Sequence, residues 1–191
     1  MRKIFEEKNL TDKKVLLRLD LNVPLNNGTI TDTTRIDKII PTLNYLIKKN
    51  SKIIILSHVG RPKGMDVSDL SLKPICKNIE DKISRNIQLI KKNIYEMNAK
   101  DVFNNTNNNI VMLENIRFYE QEEKNDHEFA KQLSSLADIY VNDAFSCSHR
   151  AHASIDKITQ FLPSYSGLQF DLEVKALKKI TSEIEKPITC I

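Results

Sequence analysis

The segment VNDAFSCSHRAHA, residues 141 to 153, places His149, Arg150 and His152 within four positions directly after an apolar run. Two histidines three residues apart can ligate a metal, contact a phosphate or begin a helix. A zinc site needs further ligands of suitable type, and none stands out near this pair in the sequence. We therefore interpret the segment as part of an anion site and predict no metal site in the chain.

Two other polar segments follow apolar runs and carry compatible chemistry. The segment DLNVP contains Asp20 and Asn22, which lie two residues apart and so share one face of an extended chain. A carboxylate and an amide on one face can bind hydroxyl groups, but the same residues are equally compatible with an Asn-x-Pro turn. In SHVGRPKG, His58 and Arg61 can donate charge-assisted hydrogen bonds to an anion, and Gly60 allows its backbone to approach closely.

Arginine is rare in this lysine-rich chain and occurs only at positions 2, 18, 35, 61, 85, 117 and 150. Arg117 follows an apolar run, and Arg35 begins a predicted helix whose N-terminal dipole favours an anion. The planar guanidinium group can donate two parallel hydrogen bonds to an oxyanion. Any single arginine could be an ordinary surface residue. The same pattern in successive loops favours one shared anion site.

Five short apolar runs precede or separate these polar loops. They are residues 15–23, 52–56, 86–90, 109–113 and 138–142. Most are rich in Ile and Val and continuous rather than alternating, which is typical of strands buried on both faces of a parallel sheet. Because ligands bind outside the carboxyl ends of such strands, we expect the polar loops to meet at that edge.

Helical periodicity separates the predicted strands. We predict helices over residues 34–49, 71–82, 126–136 and 169–183. Asp32 or Thr33 can cap the first of these, and Pro41 inside it predicts a kink. Strands that alternate with helices predict the α/β class, as a three-layer Rossmann-like parallel sheet with helices on both faces.

The composition is that of a globular chain. With 191 residues, 40% of them apolar and 28% charged, the sequence is long enough for one domain with its own core. No apolar run approaches the roughly 20 residues of a membrane-spanning helix. The first residues, MRKIFEEKNL, lack the apolar region of a secretory signal, so we expect a cytoplasmic protein.

Charge and cysteine content indicate no further partner. The net charge of +4 comes from basic residues scattered among 25 acidic ones, which favours a mixed-charge surface over a nucleic-acid interface. The three cysteines share no CxxC spacing, and we assign no role to Cys76, Cys147 or Cys190.

Read in order, RLDLNVP, DTTRI, SHVGRP, ENIRF and YVNDAFSCSHRAHAS resemble the N-terminal half of phosphoglycerate kinase. The resemblance covers essentially the whole chain. It implies a two-lobed glycolytic enzyme, usually a cytoplasmic monomer, that transfers a phosphoryl group reversibly between 1,3-bisphosphoglycerate and ADP. Transfer from 1,3-bisphosphoglycerate to ADP gives 3-phosphoglycerate and ATP, and the reaction uses magnesium.

The resemblance also implies roles for individual residues. Asp20 and Asn22 would hold the hydroxyl and carboxyl end of the triose, with the backbone of Leu21 lining the site. Arg35 would contact the carboxyl oxygens and stabilise the phosphoryl group during transfer. His149 and His152 would belong to the same basic patch without a proton-transfer step. The residues that would hold the non-transferred phosphate are His58, Val59, Gly60, Arg61, Arg117 and Arg150.

Two departures from the family pattern lie near the predicted site. Ser146-Cys147-Ser148 stands where the family more often has Gly-Thr-Ala, and Leu21 stands where it often has an aromatic residue. Neither change removes a charge, so we expect the site to keep its geometry.

A third departure concerns length. The chain contains no GxxxxGK[ST] or GxGxxG phosphate loop. We predict a triose-binding domain over residues 1–185 and the start of a nucleotide-binding domain at 186–191, with KPITCI as its first strand. Mg-ATP or Mg-ADP would then bind to the absent half and not to this chain, which would be inactive alone. The alternatives are a non-catalytic anion-binding module and a nucleic-acid binder.

Overall fold

The computed structural model describes residues 2–26, 28–104 and 109–182. Seven strands form the main sheet and two short strands form a hairpin. The strands are β1 (Arg2–Lys3), β2 (Lys14–Leu19), β3 (Leu25–Asn26), β4 (Thr29–Ile30), β5 (Lys52–Leu56), β6 (Gln88–Ile90), β7 (Ile110–Leu113), β8 (Ile139–Asp143) and β9 (Ser164–Ser166).

The main sheet is entirely parallel and has the strand order β1-β9-β8-β2-β5-β7-β6. β2 lies between β5 and β8, with Leu17 opposite Ile55 on one side and Val141 on the other. The chain runs from β2 toward β6 and then returns to β8 on the other side of β2. The order therefore reverses beside β2, where open parallel sheets bind ligands.

Helices cover both faces of this sheet. They are α1 (Thr34–Lys48), α2 (Lys73–Ile83), α3 (Glu120–Glu123), α4 (His127–Ser134) and α5 (Leu168–Thr181). On one face, Leu17 belongs to a core that also contains Leu43 of α1 and Ile79 of α2. On the other face, Leu16 packs in a separate core with Phe129 of α4. The three-layer α/β prediction is confirmed.

The predicted elements correspond to real ones with small shifts at their ends. The strand predicted over 15–23 stops at Leu19, before the polar segment that follows it. α4 begins at His127, one residue after the predicted start, because Asp126 is its N-cap and its carboxylate accepts a hydrogen bond from the Phe129 amide at 2.8 Å. At α1, Thr33 occupies the cap position while Asp32 accepts from the Thr34 amide at 2.7 Å.

Other expectations fare differently. α1 continues through Pro41 as one helix. α2 begins at Lys73 rather than at residue 71. β1, β9 and the β3–β4 hairpin were not predicted, because two or three residues are too short to show periodicity.

The strand expected at 186–191 lies outside the described residues. None of the described helices is long and apolar enough to cross a bilayer.

The difference in burial between two leucines predicts a large difference in the effect of replacing each of them by alanine. Leu16→Ala removes a side chain that is 0% exposed in the centre of β2, whereas Leu172→Ala trims one that is 59% exposed on α5. The first should lower the free energy of unfolding by about 2–5 kcal/mol and the second by less than about 0.5 kcal/mol. Urea unfolding followed by circular dichroism measures both. Equal losses would contradict the core described above.

Candidate functional site

The loops that follow β2, β5, β7 and β8 leave the sheet at one edge, because these four strands are neighbours and parallel. Every residue predicted to bind a ligand except Arg35 lies on one of these loops, and Arg35 lies in the first turn of α1. Several of the predicted residues form two groups of contacts, which the segment from Asp20 to Asn22 connects.

The first group is centred on Asp20. Its Oδ2 atom accepts a hydrogen bond from Arg35 Nη1 in an ion pair and another from Ser146 Oγ at 2.5 Å. These three residues line a cavity of about 310 Å³ that also includes Lys38 and Glu173. The Arg35 side chain is 46% exposed, so it can reach a ligand in this cavity.

The second group is centred on Gly60. Its amide donates to Asn22 Oδ1 at 2.9 Å, and its carbonyl accepts from Arg117 Nη1 at 3.0 Å. Gly60 has a φ of +67°, in the left-handed region that favours glycine. The tight turn therefore brings the backbone after β5 against both Asn22 and Arg117.

Arg117 is buried, with only 3% of its surface exposed. Its Nε atom makes no hydrogen bond to the described residues, and the nearest carboxylate oxygen, Glu123 Oε1, is 3.4 Å away. Burial lowers the pKa of Arg117, and the charge of Glu123 opposes that shift. A buried guanidinium N–H without a partner is costly, which makes it well suited to an anionic ligand.

His58 lies in the middle of a cluster of positive groups. Burial is the main reason why its pKa lies far below the usual value of histidine. The charges of Arg18, Arg117, His152 and Arg150, in that order, lower it further. His58 is therefore a neutral imidazole at neutral pH, and the surrounding positive charge resides on the arginines.

Three residues of the predicted basic patch have side chains that solvent can reach. Arg61 and His149 are exposed and Arg150 is half-buried. The side chains of Arg61 and Arg150 form no ion pair within the described residues. Arg150 nonetheless lies close enough to Arg117 and His58 to lower the pKa of both.

Leu21 and Val59 reach the site only through their backbones. Both side chains are buried in the core between the sheet and α1 and α2. The Leu21 amide donates to Ser57 Oγ at 3.2 Å, and the Val59 carbonyl accepts from Asn115 Nδ2 at 2.8 Å. These groups hold the loops in place.

Sequence reasoning missed four residues that shape the site, namely Arg18, Ser57, Asn115 and Ser146. Asn115 fixes the loop after β5 and also accepts from the Arg117 amide at 3.1 Å. Arg18 lies within β2 and is 1% exposed. A charged residue inside a continuous apolar run was the signal that could have identified Arg18. No comparable signal marked Asn115 or Ser57, and Ser146 stood out only as a departure from the family pattern.

A larger cavity of about 900 Å³ lies beside the ends of β6 and β7. Lys73, Lys91 and Tyr119 contribute to its lining, and none of the residues predicted to bind a ligand does. Its natural position for an anion, the start of α2, is taken by Glu114, which accepts from the Leu72 amide at 2.7 Å. The side chains predicted to bind a ligand lie around the Asp20 and Gly60 groups instead. No group of three or more His, Cys, Asp or Glu within the described ranges is arranged to hold a metal.

Comparisons with known proteins agree on one family. Residues 5–191 match the family model described as phosphoglycerate kinase. A phosphoglycerate kinase from Wolbachia pipientis subsp. Culex pipiens is 51% identical over 94% of this chain and 45% of its own length. One from Dictyoglomus turgidum is 44% identical over 97% of this chain and 46% of its own length.

Two solved structures share the fold. Phosphoglycerate kinase from Coxiella burnetii is 33% identical with a TM-score of 0.84, over 95% of this chain and 46% of that one. The enzyme from Pyrococcus horikoshii OT3 is 28% identical with a TM-score of 0.86, over 98% of this chain and 47% of that one. The chain thus spans about half the length of the relatives it matches.

The geometry of Gly60 predicts a measurable effect on stability. A Cβ atom at Gly60 would lie 2.6 Å from Leu70 Cδ2, whereas at Gly28, which has a φ of +73°, it would meet nothing within 4 Å. Gly28→Ala should therefore cost only the backbone strain of about 1–2 kcal/mol. Gly60→Ala should cost more, because Leu70 must also move and the hydrogen bonds to Asn22 and Arg117 are disturbed. Equal urea midpoints for the two variants would show that the turn is not constrained as described.

Proposed function

This chain belongs to the phosphoglycerate kinase family. We propose that the site at the carboxyl ends of β2, β5, β7 and β8 binds the triose substrate of that enzyme. The reaction transfers a phosphoryl group from 1,3-bisphosphoglycerate to ADP, which gives 3-phosphoglycerate and ATP, and it is reversible. The observation that carries the proposal is the buried Arg117, whose Nε atom lacks a hydrogen-bond partner among the described residues and lies within the positive field of Arg150.

The Gly60 group would hold the non-transferred phosphate. Arg117 and Arg150 supply charge and paired N–H donors, which suit a phosphate better than the point charge of lysine. His58 adds a neutral donor, and Arg61 is exposed at the edge where it can close over the ligand. Val59 and Gly60 would contribute backbone groups. No single one of these groups needs to move far, because the loops are already held by Asn22 and Asn115.

The Asp20 group would hold the carboxyl and hydroxyl end of the triose. Arg35 is paired with Asp20, and a substrate carboxylate can replace Asp20 as its partner. Asp20 would then be free to accept a hydrogen bond from the hydroxyl group, beside Asn22 and the Leu21 backbone. This exchange keeps Arg35 paired with an anion in both states, which limits the free-energy cost of binding.

Arg35 would be the catalytic residue. Phosphoryl transfer through a loose transition state needs positioning and charge stabilisation more than covalent participation. An exposed arginine at the mouth of the cavity can follow the phosphoryl group as it leaves the acyl phosphate. His149 and His152 need no proton-transfer role in this scheme.

The nucleotide would bind outside this chain. The sequence has no glycine-rich phosphate loop, and the chain matches only 45% and 46% of the length of the relatives from Wolbachia pipientis and Dictyoglomus turgidum. Transfer also requires that water be excluded when the two halves of the enzyme close. We therefore propose that the isolated chain binds the triose but does not transfer phosphate. By the same family membership we propose a glycolytic role in the cytoplasm as a monomer, with small molecules rather than nucleic acid as partners.

Isothermal titration with 3-phosphoglycerate tests the phosphate-binding role of Arg150. Arg150→Ala should weaken binding by about 10–100-fold, the loss typical of a hydrogen bond to a charged group. Arg85→Ala is the matched control, because Arg85 is an exposed arginine that follows α2 and precedes β6, away from the edge where the strands end. D-glycerate, which lacks the phosphate, should bind both variants and the parent chain equally weakly. If 3-phosphoglycerate binds no better than D-glycerate, the proposed function is wrong.

A different pattern is expected for Arg35, because it acts mainly on the transition state. With a family C-terminal half supplied, Arg35→Ala should lower turnover by about 10²–10³-fold, comparable to the loss of one oxyanion donor. The dissociation constant for 3-phosphoglycerate should rise far less. Equal losses in both measurements would show that Arg35 is only a binding residue. ATP formation by the chain without its complement would contradict the proposed division between the halves, and triose binding without turnover after complementation would favour a non-catalytic anion-binding module.

A further inference from the structure

A buried network lies directly beneath the anion site and includes no residue assigned to the substrate. It consists of Arg18 on β2, Ser154 in the loop after β8, and Glu122 on α3, and we call it the Arg18 network. Arg18 is 1% exposed, and Ser154 and Glu122 are both 0% exposed. Buried charges of this kind are costly unless every group is paired. The partners of each group therefore fix which atoms donate and which accept.

Ser154 fixes the direction of each hydrogen bond in the network. Arg18 Nε is 3.0 Å from Ser154 Oγ, and because a guanidinium group has no acceptor atom, the serine must accept. The single hydroxyl hydrogen of Ser154 is then left for Glu122 Oε1, at 2.6 Å. The Ser154 amide also donates to Glu122 Oε2, at 2.9 Å. Glu122 therefore holds Ser154 at two points, and Ser154 holds Arg18.

The other end of Arg18 reaches His58. Arg18 Nη1 donates to the Leu19 carbonyl at 2.6 Å, and Arg18 Nη2 lies 2.9 Å from His58 Nδ1. Since the guanidinium can only donate, His58 Nδ1 must be an unprotonated acceptor. The hydrogen of the neutral ring is then on Nε2, which makes no hydrogen bond to the described residues.

The surroundings keep the His58 ring neutral. Charged or titratable groups face it from β2 (Arg18), from the loop after β7 (Arg117), and from the loop after β8 (Arg150 and His152). All of them oppose a second proton, and burial opposes it most strongly, so the pKa of His58 is far below its ordinary value. Two acidic groups lie beside this cluster. Glu122 binds Ser154 through both carboxylate oxygens and lies 3.7 Å from His152 Nδ1, and Glu123 Oε1 lies 3.4 Å from Arg117 Nε.

We propose that Arg18 is a positioning residue that holds His58 as the neutral Nε2–H tautomer, and that Glu122 positions Arg18 through Ser154. The inference rests on the proposed function only for the identity of the ligand. Its consequence is that His58 gives the triose phosphate an uncharged donor, whose state does not change between about pH 5 and pH 8. The arginines supply all of the positive charge.

The tautomer can be measured directly on the ¹⁵N-labelled chain by long-range ¹H–¹⁵N correlation of the imidazole rings. His58 is assigned by the signal lost in His58→Gln, and the exposed His127 and His149 serve as internal reference signals. We expect His58 to show an unprotonated Nδ1 and a protonated Nε2 from about pH 5 to about pH 8. An Nδ1–H tautomer or an imidazolium in that range would overturn the proposal.

Ser154→Ala tests the link from Glu122 to Arg18, and Ser51→Ala is its matched control. Ser51 is also buried and donates one hydrogen bond, to the Leu10 carbonyl at 3.0 Å, on the far side of the fold from the anion site. Ser154→Ala should introduce the second His58 tautomer and weaken 3-phosphoglycerate binding by about tenfold. Ser51→Ala should change neither. A Ser154→Ala variant with the parent tautomer and affinity would remove Ser154 and Glu122 from the positioning role.

The two proposals fail in different ways. A chain whose His58 has the expected tautomer but that does not bind 3-phosphoglycerate contradicts the proposed function and supports the Arg18 network. A chain that binds the triose with His58 in the other tautomer supports the function and contradicts the network.

Discussion

The parallel direction of the strands is the constraint on which the rest of the structure depends. Because β8, β2, β5 and β7 are neighbours that all end at the same edge, four loops from distant parts of the sequence meet there. An antiparallel arrangement would send half of those loops to the opposite edge. The convergence of the candidate site residues is therefore set first by the topology, and the chemistry of the site by the individual residues.

Buried charge beneath that edge gives the site its rigidity. Arg18, Arg117 and Glu122 are all removed from solvent, which would be unfavourable without compensating hydrogen bonds. Ser154 pairs with both Arg18 and Glu122, and the Gly60 carbonyl accepts from Arg117. The side chains of Asn22 and Asn115 tie the loops to one another through backbone groups. Arg117 is the exception, since its Nε–H group has the ion-pair contact with Glu123 at 3.4 Å but makes no hydrogen bond within the described residues. A ligand that accepts a hydrogen bond from Arg117 Nε would satisfy this group. Ligand binding should therefore also raise the free energy of unfolding.

Much of the fold could be predicted from the sequence, because long apolar runs and helical periodicity report burial directly. The five strands from β2 to β8 in the main sheet and four of the helices were found in this way, while β1, β9 and the hairpin are too short to show a period. The candidate site was predicted through its cations, whose chemistry is visible in single letters. Asn115 and Ser146 were missed because their importance comes only from neighbours distant in sequence, such as Val59 and Asp20. The pairing of Arg35 with Asp20 also required the folded chain.

The central claim is that guanidinium groups from separate loops converge on one phosphorylated acid. The most direct measurement is the ¹⁵N NMR spectrum of the arginine Nε–H groups during titration with 3-phosphoglycerate, in a chain that has only seven arginines. Convergence predicts that the signals of Arg35, Arg61, Arg117 and Arg150 shift together along one binding curve, while those of Arg2 and Arg85 stay in place. Shifts that are confined to a single arginine, or that include Arg2 and Arg85 equally, would contradict a shared site.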